Sequence, residues 1–552
     1  MTEVALRLMR YSRLTSPEAA AILEESPGTM DNIEQALKNG TDLPMFIGPR
    51  EIERFKDGEP EKKKSPGGEE ILKKNIGEED PGKKHESKVS AVKVDTAKEL
   101  KPKRELKDIS RTVSSHLKRP AIDTLRTGSG SIPLAKQVDS DFRILKDPFE
   151  KMGSQGKIDD FKKLFQSRYR KLRSVLLAQY GDLSPCESIS TLSGSDDKVR
   201  FVGIVNDSRT TRNGHTMIDI EDPTGTIRAL ISKNKKDLNS IRLVSDEIVG
   251  IVGKYKSGDG RGGPIVFIDN IFKVDIPGIH RRRTSEQKGL LAVFTSDIHI
   301  GSRMYLSREW ARMIKWLEGE RDASLKASDG NRVKYFIVAG DLVDGIGIYP
   351  DQDKDLLHPD ITRQYEALAE SLAMIPDHIE IILMPGNHDA VRIAEPQPPL
   401  PKEYQDLFSN SNIRFLSNPT FFSVSGVQVA GYHGKSIDDM VTVFKDVTYE
   451  DPIPGMKEML RSRHYAPSYG MRNQLAPEEE DLLVIEEVPD IFVSGHVHRF
   501  GMDNYKGVQL IEGSTWQSQT PFQKMMNLQP QPAKLGVVEL DSTNKMYTWE
   551  IT

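Results

Sequence analysis

The chain has 552 residues, a formal net charge of −5 and a single cysteine, so we expect roughly three or four domains of about 100 to 200 residues each. The slightly acidic balance provides no overall attraction to nucleic acid or to an anionic membrane, and one cysteine excludes an internal disulfide and a zinc site built from several thiolates. Because no apolar run approaches the roughly 18 residues of a membrane span, and the N-terminus lacks a signal-peptide pattern, we expect a soluble, intracellular protein.

The first 139 residues predict a small helical module followed by a disordered linker. Residues 1–55 carry apolar side chains at helical spacing, and Ser16 followed by Pro17 is typical of a helix start. Residues 56–139 are rich in Lys, Glu, Pro and Gly and nearly lack aromatic residues, so they bury too little apolar surface to offset chain entropy. A solvated tether is the favoured interpretation, and contact of its lysine clusters with DNA is the alternative.

Residues 140–197 predict a helical connecting segment. Phe161, Leu164, Phe165 and Tyr169 recur at spacings of three and four, which places them on one face of a helix. We expect this apolar face to pack on the domain that follows.

Residues 198–278 change to the alternation that is typical of strands. Turn signals such as DPTG and SGDGRGG separate the apolar runs. Five short strands, with one helix between the third and the fourth, match the oligonucleotide/oligosaccharide-binding barrel, the OB-fold. Its candidate stacking aromatics are few, and several lie within apolar runs: Phe201, Tyr255, Phe267 and Phe272. Docking of another subunit is therefore favoured over direct contact with DNA.

From residue 290 onward, apolar runs end repeatedly in short polar loops. Such runs are typical of strands that are covered on both faces, and their ends would meet at one rim. The polar residues that close these runs are Asp297, His299, Asp341, Asn387, His388, His433, His496 and His498. Glycines before several of them, at positions 340, 386 and 495, permit tight turns.

These residue types predict a metal site. Carboxylates, imidazoles and a carboxamide form a mixed nitrogen and oxygen set, which suits manganese, iron or zinc better than magnesium or calcium alone. The set is too large for one tetrahedral ion and matches the need of two ions roughly 3.5 to 4 Å apart, an arrangement used for attack on phosphorus. A lone GD or DxH is usually a turn, but GNHD and GHVH strengthen the prediction because each closes an apolar strand.

The order DxH, GD, GNHD, H and GHxH resembles the calcineurin-like metallophosphoesterase superfamily over residues 290–552. The stretches YHGKSIDD, RHYAPSYG and STWQSQTPFQKMM resemble the family of small subunits of archaeal family D DNA polymerase, in which an OB-fold directly precedes the phosphoesterase domain. The resemblance implies a multidomain α/β protein, in which a helical module on a disordered tether precedes an OB-fold barrel at 198–278 and a two-sheet α/β phosphoesterase sandwich at 290–552.

The resemblance also implies how the metal ligands divide. Two sets of three ligands are joined by a bridging carboxylate: Asp297, His299 and His498 for one ion, Asn387, His433 and His496 for the other, and Asp341 between them. The implied cofactors are two divalent ions, with manganese preferred and iron, zinc or magnesium as alternatives.

His388 falls where that superfamily has its catalytic histidine, so the resemblance implies that it donates a proton to the leaving oxygen or stabilises its charge. His433 follows an apolar strand and is preferred as a ligand over its competitor, His464. Otherwise His464 would contact substrate phosphate or a partner subunit together with Arg461 and Arg463.

The implied function is a metal-dependent 3′ to 5′ exonuclease that hydrolyses mispaired ends made by a separate large polymerase subunit, which the chain also scaffolds. Implied partners are that subunit, the single-stranded primer 3′ end and replication factors such as the sliding clamp, in the cytoplasm at the nucleoid and without a membrane. No second carboxylate constellation predicts nucleotidyl transfer. The alternatives are a catalytically weak structural accessory subunit and a free-standing metallonuclease or phosphatase of the same superfamily. The complete ligand set favours a working nuclease.

Overall fold

The structure is a computed structural model of the chain and describes residues 132–193, 195–258, 263–278, 280–319 and 327–551, together with residues 14, 15, 31, 33, 46 and 47. The chain divides into two compact units, Met1–Leu100 and Lys101–Thr552. In the first unit, strand β1 (Leu14–Thr15) pairs in parallel with β2 (Phe46–Ile47). The predicted N-terminal helical module, apart from those residues, and the linker up to residue 131 lie outside the described residues.

The described part of the second unit begins with residues that we expected to be linker. A 3₁₀ turn at Leu134–Gln137 is followed by strand β3 (Phe142–Lys146), which the sequence did not predict. Ala135 is buried, and the Lys334 ammonium donates to its carbonyl at 3.1 Å and to that of Val138 at 2.6 Å. The predicted linker therefore extends too far, because residues 132–139 pack against the protein.

The predicted connecting helix is present as α1 (Ile158–Gln179). Leu172 and Leu176 are buried and share an apolar cluster with Val202 and Val252 of the following domain, so the expected packing is confirmed for the C-terminal half of the helix. Phe161 and Phe165 instead contact Tyr469, with ring centroids 5.6 and 5.5 Å away. Short 3₁₀ turns flank the helix at Phe149–Lys151, Gly181–Leu183 and Ile189–Thr191.

A closed barrel of five strands follows. Its strands run in the order β4-β5-β6-β8-β7 around the barrel: β4 (Ser195–Thr210), β5 (Thr216–Asp222), β6 (Gly225–Ile231), β7 (Ile248–Lys256) and β8 (Ile265–Lys273). The short helix α2 (Lys236–Asn239) lies between β6 and β7, as predicted. Phe201 is fully buried, and the ring of Phe272 packs against that of Tyr180 with centroids 4.8 Å apart, whereas Phe267 is exposed.

Two six-stranded sheets form the remainder. The first has the order β12-β11-β10-β9-β18-β19 and the second the order β16-β17-β15-β14-β13-β3. Their strands are β9 (Leu291–Thr295), β10 (Val333–Ala339), β11 (Glu380–Met384), β12 (Ile413–Phe415), β13 (Thr420–Val424), β14 (Val427–Gly431), β15 (Ile491–Ser494), β16 (Phe500–Tyr505), β17 (Val508–Gly513), β18 (Lys534–Glu539) and β19 (Met546–Glu550).

The helices are α3 (Ser307–Leu317), α4 (Ala327–Gly330), α5 (Ile361–Leu372), α6 (Lys402–Gln405), α7 (Ile437–Val443), α8 (Ile453–Ser462) and α9 (Pro521–Met525), with a 3₁₀ turn at Gln352–Lys354. Within the residues described, none of the helices is long and apolar enough to cross a membrane.

The two sheets face each other across one apolar core and are covered by helices on their outer faces. Phe294 and Ile337 of the first sheet share that core with Val429 and Val493 of the second. Helices α3 and α5 pack on the outer face of the first sheet, and α7 and α8 pack on that of the second. Strands enclosed in this way have apolar side chains on both faces, which explains the uninterrupted apolar runs of the sequence.

Candidate metal centre

Five strands deliver the predicted ligands to one rim. In the first sheet β9, β10 and β11 run parallel, and in the second β14 and β15 do, so their carboxyl ends meet. Each strand is followed within three residues by a predicted ligand: Asp297, Asp341, Asn387, His433 and His496. The side chains of Asp297, Asp341 and His433 are almost fully buried.

The ligand loops hold an unusual backbone conformation. Five predicted ligands have a positive φ: Asp297 (54°), His299 (53°), Asp341 (51°), His496 (76°) and His498 (57°). Non-glycine residues rarely adopt this region, and each instance costs about 1 to 3 kcal/mol unless the surrounding structure enforces it. Such strain concentrated at one rim is typical of a functional site.

Glycines allow the loops to approach the ligands closely. A Cβ atom at Gly386 would lie 2.2 Å from Asp341 Oδ1, and one at Gly340 would lie 2.4 Å from His433 Nδ1. One at Gly495 would lie 2.6 Å from Asp297 Oδ2. The predicted role of these glycines in tight turns therefore extends to making room for the ligands themselves.

The first group of ligands consists of Asp297, His299 and His498. The Nε2 atoms of the two imidazoles face each other at 2.9 Å. Oδ1 of Asp297 lies 3.7 Å from the Nε2 of His299 and 3.4 Å from that of His498. This oxygen is buried and, among the described residues, has no hydrogen-bond partner. A buried carboxylate oxygen without a donor, facing two imidazole nitrogens, fits a bound cation.

The second group of ligands surrounds His433. Its Nδ1 donates to the Ala339 carbonyl at 2.8 Å, so Nε2 is the nitrogen that faces the other ligands. That atom lies 3.2 Å from Asn387 Oδ1 and 3.3 Å from Asp341 Oδ2. Asp341 and His433, together with His496, offer ligand atoms within 4.8 Å of one another. Asp341 Oδ2 also lies 3.8 Å from His299 Nε2, which places this carboxylate between the two groups.

His388 lies beside the bridging carboxylate. Its backbone N–H donates to Asp341 Oδ1 at 2.8 Å, and its ring Nδ1 donates to the Asp344 carbonyl at 2.7 Å. The remaining nitrogen, Nε2, is 3.9 Å from Asp341 Oδ2. With His299 and Asp341 this residue forms a third group that satisfies the distances of a metal site, so the geometry also allows it to be a ligand.

The electrostatics of the cluster favour positive charge. Burial acts to raise the pKa of the Asp297 carboxyl, but the nearby imidazoles of His299 and His498 outweigh it and lower that pKa. Burial acts to lower the pKa of His299, yet Asp297 and Asp344 raise it to about 10. In the same way Asp341 overcomes burial and raises the pKa of His433 to about 9. The negative charge of these carboxylates retains protons on the imidazoles, and the same charge would attract divalent ions.

Two other histidines have the opposite shift. Burial lowers the pKa of His388 to about 4, even though Asp341 and the Asp344 carbonyl oppose this change. Burial also lowers the pKa of His496, against the attraction of Asp438. A lowered pKa keeps both rings neutral near neutral pH, as a ligand or a proton acceptor requires.

Two carboxylates behind the ligands were not predicted from the sequence. Asp344 Oδ1 is 3.1 Å from His299 Nδ1, and Asp438 Oδ2 is 3.2 Å from His496 Nε2. Carboxylates in this position orient the imidazole and leave its other nitrogen for the metal. The signals were present, since Asp344 stands three residues after Asp341 and Asp438 lies in YHGKSIDD, but aspartates in loops usually form turns.

The three residues predicted to contact substrate or a partner do not lie at the rim. His464 is buried and its Nε2 donates to Asp481 at 3.0 Å, and Arg463 is buried with its guanidinium on the Ile485 and Glu486 carbonyls. These two assignments are corrected, because their polar atoms are already engaged in the interior. Half-exposed Arg461 pairs with Glu458 and Tyr505. His433, and not His464, lies beside Asp341.

Comparison with known proteins shows that the chain is similar to subunits of DNA polymerases. The family of the B subunits of DNA polymerases alpha and epsilon matches residues 292–501. The DNA polymerase II small subunit of Methanothermobacter thermautotrophicus is 41% identical over 412 residues, which cover 74% of this chain and 83% of that protein. The corresponding proteins of Thermoplasma acidophilum and Archaeoglobus fulgidus are 40% and 39% identical, covering 70% and 76% of this chain and 76% and 83% of theirs.

Proposed function

The chain belongs to the family of archaeal DNA polymerase II small subunits, and from this membership we propose that it is a metal-dependent 3′ to 5′ exonuclease that removes mispaired nucleotides during DNA replication. The observation that carries the proposal is the convergence of buried imidazoles on Asp297 Oδ1, which has no hydrogen-bond partner among the described residues. A scaffold without catalysis would have no need for such a carboxylate, whose burial is unfavourable unless it is paired.

We assign the five-stranded barrel at 198–278 to the OB-fold and the paired sheets of 290–552 to the calcineurin-like phosphoesterase fold. The strand order of the barrel and the helix between β6 and β7 support the first assignment. The rim of ligands at the carboxyl ends of β9, β10, β11, β14 and β15 supports the second. We also propose that residues 1–55 form a separate module and that a tether follows it.

The donor set fits two divalent ions. We assign one to Asp297, His299 and His498, and the other to Asn387, His433 and His496, with Asp341 shared. Manganese suits the mixed nitrogen and oxygen set best, and iron, zinc and magnesium are the alternatives. When bound, two such ions supply a nucleophilic water near neutral pH and neutralise charge on the phosphodiester.

The residues behind the ligands fix which nitrogen of each ring is available. Asp344 engages Nδ1 of His299, and the Ala339 carbonyl engages Nδ1 of His433, which leaves Nε2 on both rings. Asp438 engages Nε2 of His496, which leaves Nδ1 on that ring. Lys435 donates to the same Asp438 oxygen at 2.6 Å and thereby holds the carboxylate in place. The protein thus prepares the ligands before any ion binds.

His388 is the residue that we assign to proton transfer. Because Nδ1 donates to the Asp344 carbonyl, Nε2 is the nitrogen left to face the reacting phosphate. A neutral ring can accept a proton at Nε2 and, once protonated, return it to the leaving 3′ oxygen. Its position beside Asp341, with 15% of the side chain exposed, allows access from the substrate side.

The chain would act with a large catalytic subunit that performs the polymerisation. Its other proposed partners are the single-stranded 3′ end of the primer and replication factors such as the sliding clamp, at the nucleoid in the cytoplasm. A scaffolding role is compatible with nuclease activity, and the barrel and α1 offer surface for it. Helix α1 connects the barrel to the phosphoesterase part, since Arg168 on α1 donates to Asp481 at 2.7 Å.

The test uses the purified chain with manganese and a 3′-ended single strand. Cleavage should shorten the strand from its 3′ end, and His388→Ala should reduce the rate roughly 100- to 10,000-fold while the metal content measured by mass spectrometry stays at the wild-type level. His215→Ala on the barrel is the control and should cleave normally. Undiminished cleavage by His388→Ala, or no cleavage by the wild-type chain alone and with the large subunit, would contradict the proposal.

A further inference from the structure

Apolar side chains are exposed directly beside the proposed metal centre. Ile346 is 48% exposed, Ile348 is 36% exposed and Met525 is 56% exposed. Next to them the rings of Tyr349 and Phe522 stack with centroids 5.2 Å apart and an interplanar angle of 24°. We call these five residues the apolar lip. Exposed apolar side chains that gather beside a polar site are typical of a binding surface.

Both halves of the apolar lip are attached to groups behind the metal ligands. Tyr349 lies in the loop that begins after Asp344, whose carboxylate contacts His299 and whose carbonyl accepts from His388. Gln352 of this loop donates to the Asp344 carbonyl at 2.8 Å. Phe522 precedes Gln523, whose amide nitrogen lies 2.8 Å from His498 Nδ1. The stacked pair is therefore held at a fixed place relative to His299 and His498 of the first ligand group and to His388.

The charged residues around the apolar lip disfavour phosphates within its loop and favour them at the border of the loop. Asp351 and Asp353 are exposed in the same loop; Asp351 pairs with Lys354 at 2.8 Å, and Asp353 would repel a phosphate backbone. Beside the loop, the Arg303 backbone N–H donates to the Asp355 carbonyl at 2.8 Å. Arg303 and Lys524 are exposed, and neither makes an ion pair in the described part of the chain. The loop thus suits uncharged planar groups, with unpaired cations at its border.

A nucleic acid end has this combination of flat apolar faces and regularly spaced negative charges. We propose that the apolar lip stacks the bases of an unpaired 3′ end while Arg303 and Lys524 hold its phosphates, an inference that rests on the exonuclease function proposed above. Every base has a π face, so the contact is independent of sequence. A paired terminal base is occupied by its partner and its neighbour, and the lip thereby selects frayed or mispaired ends.

The test compares two short probes with the full-length chain. One is a 5′-fluorescent tetranucleotide of thymidines, and the other carries abasic residues at its last two 3′ positions. Fluorescence anisotropy in EDTA should show that the base-bearing probe binds roughly 5- to 150-fold more tightly, since stacking on an aromatic ring contributes that much per base. Equal binding of the two probes by the wild-type chain would overturn the proposal.

Variants then locate the contact. Phe522→Ala, Phe522→Leu and Tyr349→Ala should each remove most of the preference for bases, whereas Tyr349→Phe should keep it because the ring remains. Phe149→Ala, which removes an aromatic ring that is 53% exposed in another part of the surface, should bind both probes as the wild-type chain does. Melting temperatures identify variants that are folded. A preference that persists in folded Phe522→Ala and Tyr349→Ala overturns the proposal.

Cleavage of the same probes with manganese separates this inference from the proposed function. If the wild-type chain cleaves neither probe but binds the base-bearing one more tightly, exonuclease activity fails and the lip stands. If it cleaves both alike and binds both alike, the lip fails and the activity stands. If the alanine variants keep the base preference but no longer co-elute with the large polymerase subunit, the lip is a protein-docking surface, and the proposal is overturned.

Discussion

In the described two-sheet part of the chain, two buried clusters of aspartate and histidine differ in how their carboxylates are hydrogen-bonded. Asp481 accepts from Arg168 Nε and His464 Nε2 on one oxygen and from the Leu483 backbone N–H on the other. Asp297 accepts from His496 N and Ser296 Oγ on Oδ2, while its Oδ1 has no donor among the described residues. The Asp481 carboxylate has a donor on each oxygen, whereas the Asp297 carboxylate has one oxygen left for the cation that we propose.

The backbone shows the same difference. At the rim five ligands have positive φ, whereas His464 and Asp481 do not, although neighbouring Arg463 does at the end of α8 (51°). Residue types alone therefore do not distinguish a metal site from an internal ion pair. Unmatched acceptors, imidazole nitrogens that face one another and enforced strain together do so.

The largest expected effect follows from Asp341→Asn, which removes the carboxylate shared by the two ligand groups. Loss of the ions should remove several kcal/mol of transition-state stabilisation, so the cleavage rate should fall roughly 1,000-fold or more. Single-turnover kinetics and elemental analysis of the purified variant measure the two quantities. If the Asp341→Asn variant kept full activity and both ions, the proposed difference between the rim and the Asp481 cluster would be wrong.

The converse substitution is Asp481→Asn, which should affect stability and leave metal binding unchanged. Breaking a buried pair leaves Arg168 without its counter-charge, and we expect a loss of about 3 to 5 kcal/mol in the free energy of unfolding, measured in urea. Asp219→Asn, which breaks the exposed pair with Arg209, is the matched control and should cost less than about 1 kcal/mol. A fall in metal content in the Asp481 variant would show that the two clusters are coupled.

Asp344→Asn tests whether a carboxylate behind a ligand acts through that ligand. The asparagine can still approach His299 Nδ1 but holds the ring less strongly, so the affinity for manganese should fall roughly 10- to 100-fold. Calorimetric titration provides the measurement, and Asp353→Asn, an exposed position in the same loop, should leave the affinity unchanged. An unaltered affinity in the Asp344 variant would limit its role to packing.

The smallest effect concerns pH and the closed cluster. Burial lowers the pKa of His464 to about 4, although Asp481 opposes this change. Between about pH 6.5 and 4 this ring is therefore protonated in the unfolded chain but neutral in the folded chain. Stability from this group is therefore complete above pH 6.5 and lost as the pH falls. Between pH 6.5 and 5.5 the wild-type chain should lose about 1 kcal/mol more than His464→Gln, as measured by urea unfolding in EDTA. Parallel pH profiles would show that His464 is not held neutral.

Much of the rim was accessible from the sequence because buried parallel strands have a distinctive form. Asp297, Asp341 and His496 each follow an uninterrupted apolar run. Parallel pairing of β9 with β10 brings the first two together, and β15 of the facing sheet adds His496. The five strands and the helix of the barrel were predicted for a similar reason, since alternation and turn signals are local properties.

What escaped prediction depends on partners far away in the chain. Nothing near His464 shows that it shares Asp481 with Arg168 of α1, some 300 positions earlier, and nothing near Arg463 shows that its guanidinium donates to the Ile485 and Glu486 carbonyls. Strand β3 has largely exposed side chains, and only its pairing with β13 makes it a strand. Asp344 resembles an ordinary loop aspartate, and Asp438 an ordinary aspartate in the first turn of a helix, until the fold places an imidazole beside each of them.

The pairing of β3 with β13 also changes how the protein can be divided. Since the first strand of the second sheet precedes the barrel in the chain and all its other strands follow it, the barrel is an insertion within a discontinuous two-sheet domain. A fragment that begins at residue 290 would lack the segment that supplies carbonyl acceptors to the buried Lys334, and it would expose the open edge of β13. Fragments of the two-sheet domain are therefore best designed by excising the barrel while retaining residues from 132 onward.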